Sequence, residues 1–284
     1  MSDAKQVIFY DLCGDPGKGP IFSPNTWKTR MALLHKKVDF CVVELSFGDI
    51  TSEAFKKKTG MARPFVPLIE LPDGTLISDS FHIAEYLETA YPNAPSLFLP
   101  TAPLPSPPPT SPAFQTAHQF ACLIDAGLGS SDARWSTFFE LAGPAIARQI
   151  VNDADRAYFF SDAKMGIVDG WKKLVVDADR ADQLARARSS LYPIARLLSR
   201  PFFAASAAQL ALSPAHPTPL FLASSTAPGL VDYILFGRYV MCAAVDPALA
   251  ESIFKNAHGD QEGNVWPWVE RVSLLVRRGG GWSA

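Results

Sequence analysis

A run of prolines constrains this chain more than any other feature of its sequence. Residues 100–112 read PTAPLPSPPPTSP. Proline has no backbone N–H and fixes its φ angle, so this run cannot form a helix or a central strand and is typical of an extended linker. The run therefore divides the chain into two parts whose sequence patterns differ.

The part before the linker predicts a small α/β domain. Two strand-like runs, QVIFYDL and DFCVVELS, flank the helical pattern PNTWKTRMALLHKK in β-α-β order. Two further apolar runs, PFVPLIEL and TLISDS, are joined by Pro72-Asp73-Gly74, which predicts a hairpin. The segment SFHIAEYLETAY then returns to helical spacing. This order of elements indicates a mixed sheet packed against helices.

The part after the linker reads as helices throughout. We expect Gly143-Pro144 to kink or break one of them, and residues 204–226, rich in Ala, Ser and Pro, to form an inserted loop. The expected domains are residues 1–98, which form the α/β domain, and residues 113–284, which are all helical. Residues 99–112 form the linker between them.

Composition excludes several classes of function. Of the 284 residues 48% are hydrophobic, which suffices for ordinary packed cores. A formal net charge of -2 provides no electrostatic footprint for nucleic acid or an anionic membrane. No stretch reaches the roughly 18 apolar residues of a spanning helix, and no secretory signal opens the chain. The four cysteines form no CxxC pair and the histidines lack metal-ligand spacing. We therefore expect a cytoplasmic protein without metal, nucleic-acid or membrane partners.

Ser23-Pro24 opens the first predicted helix. Serine is a strong N-cap and proline is favoured at the first helical position, so capping alone explains both residues. The same arrangement also holds a hydroxyl at the positive end of a helix, where an anionic sulfur would be stabilised.

Val66-Pro67 and Asp79-Ser80 also allow both a purely structural and a ligand-binding interpretation. Val66-Pro67 precedes a strand, where an ordinary trans bond is the common case. A cis bond there would turn the backbone N–H and C=O of Val66 toward an extended peptide ligand. Asp79-Ser80 opens the helix FHIAEYLE and reads as a plain cap. A helix N-terminus also binds an α-carboxylate, and the Asp79 carboxylate would meet an α-ammonium group.

Together the three features match the parts of glutathione, with its thiol at Ser23, its cysteinyl amide at Val66 and its γ-glutamyl end at Asp79-Ser80. The strings SPNTWKTR, FVPLIE and SDSFHIAEYL, in this order before an all-helical half, resemble the glutathione S-transferase superfamily. Within that superfamily, SPNTWKTR followed by an ALxxK stretch is similar to the fungal etherase-related class and to bacterial β-etherases that cleave lignin aryl ethers.

The resemblance implies a thioredoxin-like N-terminal domain followed by a C-terminal α-helical bundle, usually as a homodimer, with an acceptor pocket between the domains. It implies glutathione as co-substrate and Ser23 as the catalytic residue. The residues it implies for glutathione binding are Val66, Pro67, Asp79 and Ser80. In PGLVDYILFG, which resembles the family's buried capping segment, Gly229 stands where the family usually has Ser or Thr. We therefore expect an incomplete reciprocal cap with Asp232 and a weaker helix start.

Other residues compete for roles near the sulfur or the glycyl end. Tyr10 ends the first strand, where other transferase classes keep a thiolate-stabilising tyrosine, but we favour a structural role for it. Cys13 is expected to be a bystander, although an exposed thiol there would be reactive. Asn25 is a candidate second donor to the sulfur or the acceptor. Arg63 and the run Lys56-Lys57-Lys58 are candidates for the glycyl carboxylate.

An acceptor pocket would be lined by residues 11–23 and the first C-terminal helices. Phe114, Phe120, Leu123 and Trp135 are candidate walls, although their helical spacing fits plain core equally well. A pocket of this kind suits flat aromatic or hydrophobic electrophiles. The leading hypothesis is an enzyme that attacks aryl or aryl-ether compounds with glutathione, with peroxide reduction as a variant. The alternative is a binding protein for aromatic or polyphenolic ligands with little turnover.

Overall fold

The N-terminal half forms a four-stranded mixed sheet. The structure, a computed structural model, describes residues 6–127, 136–199, 220–224 and 226–278. The strands pair in the order β2-β1-β3-β4, and their bounds are β1 Val7–Leu12, β2 Phe40–Leu45, β3 Leu68–Glu70 and β4 Leu76–Ser78. The helices of this half are α1 Pro24–His35, α2 Phe47–Thr51, α3 Glu53–Thr59 and α4 Ser80–Ala90. β1 and β2 are parallel and β3 is antiparallel to both β1 and β4, so the predicted thioredoxin-like domain is confirmed.

The register of the sheet brings three loop segments to one edge. Tyr10 of β1 lies opposite Leu68, and Leu68 lies opposite Ser78. Because β3 is antiparallel to both neighbours, the C-terminal ends of β1 and β4 meet the N-terminal end of β3. The loop toward α1, the Val66-Pro67 bond and the Asp79 turn therefore leave the sheet at the same edge.

Helices make up the second half, as predicted. Their bounds are α5 Pro112–Asp125, α6 Ser136–Gln149, α7 Asp153–Phe160, α8 Asp162–Met165, α9 Arg180–Ser190, α10 Tyr192–Leu198, α11 Leu230–Ala243, α12 Pro247–Phe254 and α13 Val265–Arg278. A short π-helical segment covers Lys172–Val176. The proline-rich run ends where Ser111 caps α5, its hydroxyl accepting from the Phe114 N–H. The loop predicted for 204–226 lies mostly outside the described residues.

The break considered at Gly143-Pro144 does not occur, because α6 continues through both residues to Gln149. Proline inside a helix costs about 3 kcal/mol, but buried side chains on both sides of it hold α6 in the core. These are Leu141, Ala142, Ala145 and Ile146. Gly143 faces Trp171, whose ring would lie 3.2 Å from an added Cβ, so a larger residue there would require the ring to shift slightly.

Helix α11 is the central element of the structure and the main contact of α1. Almost all of its residues are buried. A Cβ added at Gly237 would lie 2.5 Å from the carbonyl oxygen of Pro24, so α11 approaches the first turn of α1 at backbone distance. The start of α1 is thereby seated on the helical half of the molecule.

The start of α11 carries half of a cap and a buried hydrogen-bond network around it. The fully buried carboxylate of Asp232 accepts the Gly229 N–H at 2.9 Å, the half of the cap that the glycine leaves intact. It also accepts the N–H groups of Leu222 and Ala223 and the indole N–H of Trp268. A Cβ at residue 229 would lie 2.6 Å from the Leu97 carbonyl oxygen, so glycine is present for close approach. The added donors hold the Asp232 carboxylate in place, but no side chain at residue 229 accepts an N–H of the first turn, so the reciprocal cap is incomplete as expected.

His35 makes folding stability depend on pH. Its Nδ1 lies 2.6 Å from the Tyr233 hydroxyl, and burial, followed by the charge of Lys36, lowers the pKa of His35 to about 4. Below its ordinary pKa of about 6.5 the unfolded chain takes up a proton that the native imidazole refuses. Stability is therefore complete above that pH and is lost as the pH falls toward 4, by about 3 kcal/mol in all.

We expect urea unfolding between pH 7 and pH 4.5 to show this loss, and we expect His35→Asn to lack it. Asparagine keeps a polar atom for Tyr233 but does not titrate. The matched control is His82→Asn, because His82 is exposed. Parallel stability curves for the wild type and His35→Asn would contradict the prediction.

Candidate functional site

Ser23 occupies the N-cap of α1, as its sequence predicts. Its side chain is buried, and its oxygen accepts the Thr26 N–H at 3.4 Å. The Thr26 hydroxyl donates to the Ser23 carbonyl at 3.1 Å, which fixes the backbone there. The Ser23 hydroxyl donates its proton to none of the described residues. It is therefore a positioned donor at the positive end of a helix.

A buried ion pair fixes α1 to the central strand. Arg30 lies 2.7 Å from the fully buried carboxylate of Asp11 and packs between the rings of Phe9 and Trp27. Burial raises the pKa of Asp11, an effect that the guanidinium of Arg30 opposes. The ion pair and the Gly237 contact hold α1 from its two sides.

The Val66-Pro67 bond is cis and lies at the sheet edge beside the end of β1. Neither the N–H nor the C=O of Val66 makes a hydrogen bond with the described part of the chain. Pro67 is buried and fixes the segment against the domain. Val66 thus presents a donor and an acceptor of the kind that an added strand uses.

Asp79 caps α4 in a strained conformation. Its φ is 74° and its ψ 127°, in a region that costs a non-glycine residue about 1–3 kcal/mol. One carboxylate oxygen, Oδ1, accepts the N–H groups of Phe81 at 2.8 Å and His82 at 3.2 Å. Oδ2 and the hydroxyl of the buried Ser80 have no partner among the described residues. The strained turn therefore presents a free carboxylate oxygen and a hydroxyl side by side.

A charged cluster between the two halves adjoins this turn, and sequence analysis did not identify it. Buried Lys28 of α1 bonds the Asp125 carboxylate of α5 at 2.5 Å. Burial lowers the pKa of Lys28, while Asp125 and Asp79 raise it and Arg238 lowers it, so all three charges lie near its ammonium group. Lys28 follows Pro24 by one helical turn, but no signal in the sequence pairs it with residue 125. The cluster links α1, the Asp79 turn and the helical half.

The competing residues near the sulfur position are engaged elsewhere. The Tyr10 hydroxyl donates to Glu70 at 2.7 Å, and burial raises its pKa, which agrees with the structural role we favoured. Cys13 is fully buried, its thiol lies 3.2 Å from the Asp15 carbonyl oxygen, and burial raises its pKa. Neither group is poised as an anion.

The candidates for the glycyl carboxylate divide into paired and unpaired cations. Lys56 pairs with Glu53 and Lys58 with Glu70, each at 2.7 Å. Lys57 and Arg63 are exposed, and their side chains make no hydrogen bond or ion pair with the described residues. Arg63 therefore stays a candidate. Asn25, in the first turn of α1, is exposed as well.

The candidate wall residues differ in their surroundings. Phe114 is buried and packs on Phe98 and His118, which favours the core interpretation for it. It also borders a cavity of about 400 Å³ that faces α4 beyond its first turn. Phe120 is 37% exposed and Leu123 51%, so both are accessible. Trp135 lies outside the described residues.

Two classes of site are not found in the described part of the chain. It contains no group of three or more His, Cys, Asp or Glu side chains arranged to hold a metal ion. None of its helices has both the length and the apolar character to cross a membrane.

Residues 22–90 match the family model described as the glutathione S-transferase N-terminal domain. This range contains Ser23, the cis bond and the Asp79 turn. The match confirms the resemblance of the N-terminal half to this superfamily.

Solved structures agree over nearly the whole chain. A glutathione S-transferase of Ceriporiopsis subvermispora in complex with glutathione aligns with a TM-score of 0.67 at 23% identity, covering 96% of this chain and 97% of that one. A glutathione transferase of Phanerochaete chrysosporium gives 0.64 at 19% identity, with coverages of 95% and 98%. The beta-etherase LigF of Sphingobium sp. strain SYK-6 gives 0.60 at 16% identity, with coverages of 98% and 100%. At these identities the similarity shows the fold.

Proposed function

We propose that this protein is a glutathione transferase in which the Ser23 hydroxyl stabilises the thiolate of bound glutathione. One observation carries the proposal: three groups lie at the same edge of the sheet. They are the Ser23 hydroxyl, whose proton has no acceptor among the described residues, the unpaired backbone N–H and C=O of Val66, and the Asp79-Ser80 turn. The glutathione-bound structure with the same fold supports glutathione as the co-substrate.

The energetics of thiol activation favour Ser23 as a donor. A free thiol has a pKa of about 8.5, and only the thiolate attacks. A hydrogen bond to a charged acceptor contributes about 1.5–3 kcal/mol, and a helix N-terminus adds roughly 0.3–1 kcal/mol. At about 1.36 kcal/mol per pH unit this sum brings the thiol pKa to about 6–7. Ser23 therefore keeps its own proton, and glutathione is the nucleophile.

The rest of glutathione has a matching group along the same edge. The Val66 N–H and C=O pair with the cysteinyl amide, next to the buried Pro67. The free oxygen of Asp79 binds the γ-glutamyl ammonium, and Ser80 with the start of α4 binds its carboxylate. We assign the glycyl carboxylate to Arg63 and a second contact near the sulfur to Asn25, because both side chains are exposed and unpaired.

For the acceptor we propose aromatic or aryl-ether compounds, including β-aryl ethers of lignin type. Support comes from the beta-etherase of the same fold and from the accessible Phe120 and Leu123. In ether cleavage the thiolate forms a C–S bond as the C–O bond breaks, and the departing phenolate takes up a proton. We further propose a homodimer, on the resemblance alone, and the domain division at residues 98 and 112, on the proline-rich run and the change of sequence pattern across it.

Replacing Ser23 with alanine should raise the thiol pKa of bound glutathione from about 6–7 toward 8.5 and lower turnover at neutral pH by about tenfold to a hundredfold. Glutathione affinity should change little, because Val66 and Asp79 remain. The measurement is thiolate absorbance against pH for the complex, followed by turnover of an aryl ether and of a simple aryl electrophile.

The matched control for this substitution is Ser111→Ala, because Ser111 caps α5 with a hydrogen bond of 3.3 Å to the Phe114 N–H. It removes an equivalent cap without approaching the site, so both thiol pKa and turnover should stay unchanged. Binding of glutathione with an ordinary thiol pKa in the wild type would sink the transferase proposal and favour a binding protein for aromatic ligands.

A further inference from the structure

A second cavity lies where the two halves of the molecule meet, away from the Asp79 turn. It has a volume of about 410 Å³. One wall comes from the loop after β1 and from the start of α2, and the other from the segment that leads into α7. Its lining includes Pro16, Gly48, Asp49, Val151, Asn152 and Asp155.

Asp155 is the unusual member of this lining. It is only 5% exposed, yet its carboxylate makes no hydrogen bond or ion pair with any described residue. Its own N–H is satisfied by the Asn152 side chain at 3.1 Å, so the carboxylate does not close the cap of α7. A buried carboxylate is costly without a partner. A group of opposite charge bound in the cavity would supply that partner.

The Asp155 carboxylate packs against α2 at the wall of the cavity. A Cβ added at Gly48 would lie 2.5 Å from Asp155 Oδ1, so α2 touches this oxygen with a bare Cα. Neighbouring cations are engaged elsewhere. Arg156, next along the chain, bonds the Ile150 carbonyl at 2.6 Å and Asp153 at 3.3 Å. Lys164 lies over the ring of Phe47.

The polar rim adds acceptor capacity and no positive charge. Asp49 accepts the Ser46 N–H at 2.8 Å through Oδ2, and its Oδ1 has no partner among the described residues. Pro16 and the 60% exposed Val151 supply an apolar side. A divalent metal requires more oxygen or nitrogen ligands than this lining gathers, and the described residues contain no metal-binding group. A hydrogen-bonding organic cation needs fewer acceptors.

We propose that this cavity binds a small primary alkylammonium ion. The ammonium group donates to Asp155, with Asp49 as the second acceptor, and a short alkyl chain lies on Pro16 and Val151. The site is separate from the glutathione site proposed above, and its occupancy does not depend on that function.

Butylammonium is the probe that tests the proposal, with binding followed by titration of amide resonances of the full chain, those of Gly48 and Asn152 in particular. We expect saturable binding to the wild type with a Kd of about 1 mM or tighter. Asp155→Asn should weaken it at least tenfold. The matched control is Asp153→Asn, on the same helix with a 94% exposed side chain, which should leave the Kd within about twofold.

Three further measurements distinguish ammonium binding from apolar binding, from metal binding and from a purely structural role of Asp155. Butanol, without the charge, should not bind, and Ca²⁺ should bind no more tightly than to Asp155→Asn. Without any probe, Asp155→Asn should melt within about 3 °C of the wild type, because its carboxylate has no hydrogen-bond partner and a negative charge in the first turn of α7 contributes only roughly 0.3–1 kcal/mol. Any one of five results would overturn the proposal. Three concern binding of butylammonium: no binding to the wild type, an equal loss in Asp153→Asn, or retained binding in Asp155→Asn. The other two are selective binding of Ca²⁺ and a fall in the melting temperature of Asp155→Asn by more than about 3 °C.

Discussion

Replacement of Asp232 with alanine should lower the free energy of unfolding by about 4 kcal/mol or more. The carboxylate is fully buried and accepts hydrogen bonds from three backbone N–H groups and the Trp268 indole. Removing it strands these donors, each at a cost of about 1–3 kcal/mol if left unpaired. Urea unfolding at neutral pH measures the loss, with circular dichroism and tryptophan fluorescence as two probes.

A single helix cap provides the comparison for that variant. Asp246 caps α12 and accepts only the Leu249 N–H, at 3.0 Å. Asp246→Ala should therefore cost about 1 kcal/mol. If the two alanine variants were equally stable, Asp232 would be a cap of ordinary strength and the network around it would contribute nothing.

Lys36→Met should destabilise the protein by about 3–5 kcal/mol, because it leaves the Glu88 carboxylate buried without its counter-charge. The two side chains are 2.9 Å apart, with exposures of 0% and 2%. Glu88 also accepts the Leu97 N–H at 2.8 Å, so the carboxylate cannot turn out to solvent without breaking a second bond. The midpoint and slope of urea unfolding measure the change.

The double variant Lys36→Met with Glu88→Gln separates charge from packing. Glutamine still accepts the Leu97 N–H but carries no charge, so the double variant should regain most of the stability that the single one loses. Lys37→Met removes a neighbouring exposed cation and should change stability by less than about 0.5 kcal/mol. A double variant no more stable than Lys36→Met would assign the loss to the packing of the lysine chain.

Local patterns in the sequence predict much of the fold and the cap residues of the site. Alternating apolar runs mark the strands, and Ser23 and Asp79 sit at the helix starts where their types place them. The Pro72-Asp73-Gly74 turn joins β3 and β4 as expected.

The features that escape prediction depend on contacts between residues far apart in the chain. From the sequence alone, Gly229 looks like a poor helix cap; the structure shows that the Leu97 carbonyl oxygen packs against it. Gly143 likewise looks like a helix breaker, but in the structure the Trp171 ring packs against it. The sequence gives Lys28 no feature that separates it from other helical lysines, whereas the structure shows its ion pair with Asp125 of the other half. Burial and pairing of this kind are set by tertiary packing, for which a local pattern carries no signal.

The approach of Gly237 to the Pro24 carbonyl bears on how the molecule can move. A contact between two backbones has no side chain that could adjust to movement. Relative rotation of the two halves would therefore separate the first turn of α1 from Gly237 of α11. If Ser23 activates the thiol as proposed, domain opening would therefore disturb the helix start that carries it. In the proposed transferase, a bulky acceptor would then enter and the product leave through movement of segments at the mouth of the site, with the junction behind Ser23 closed.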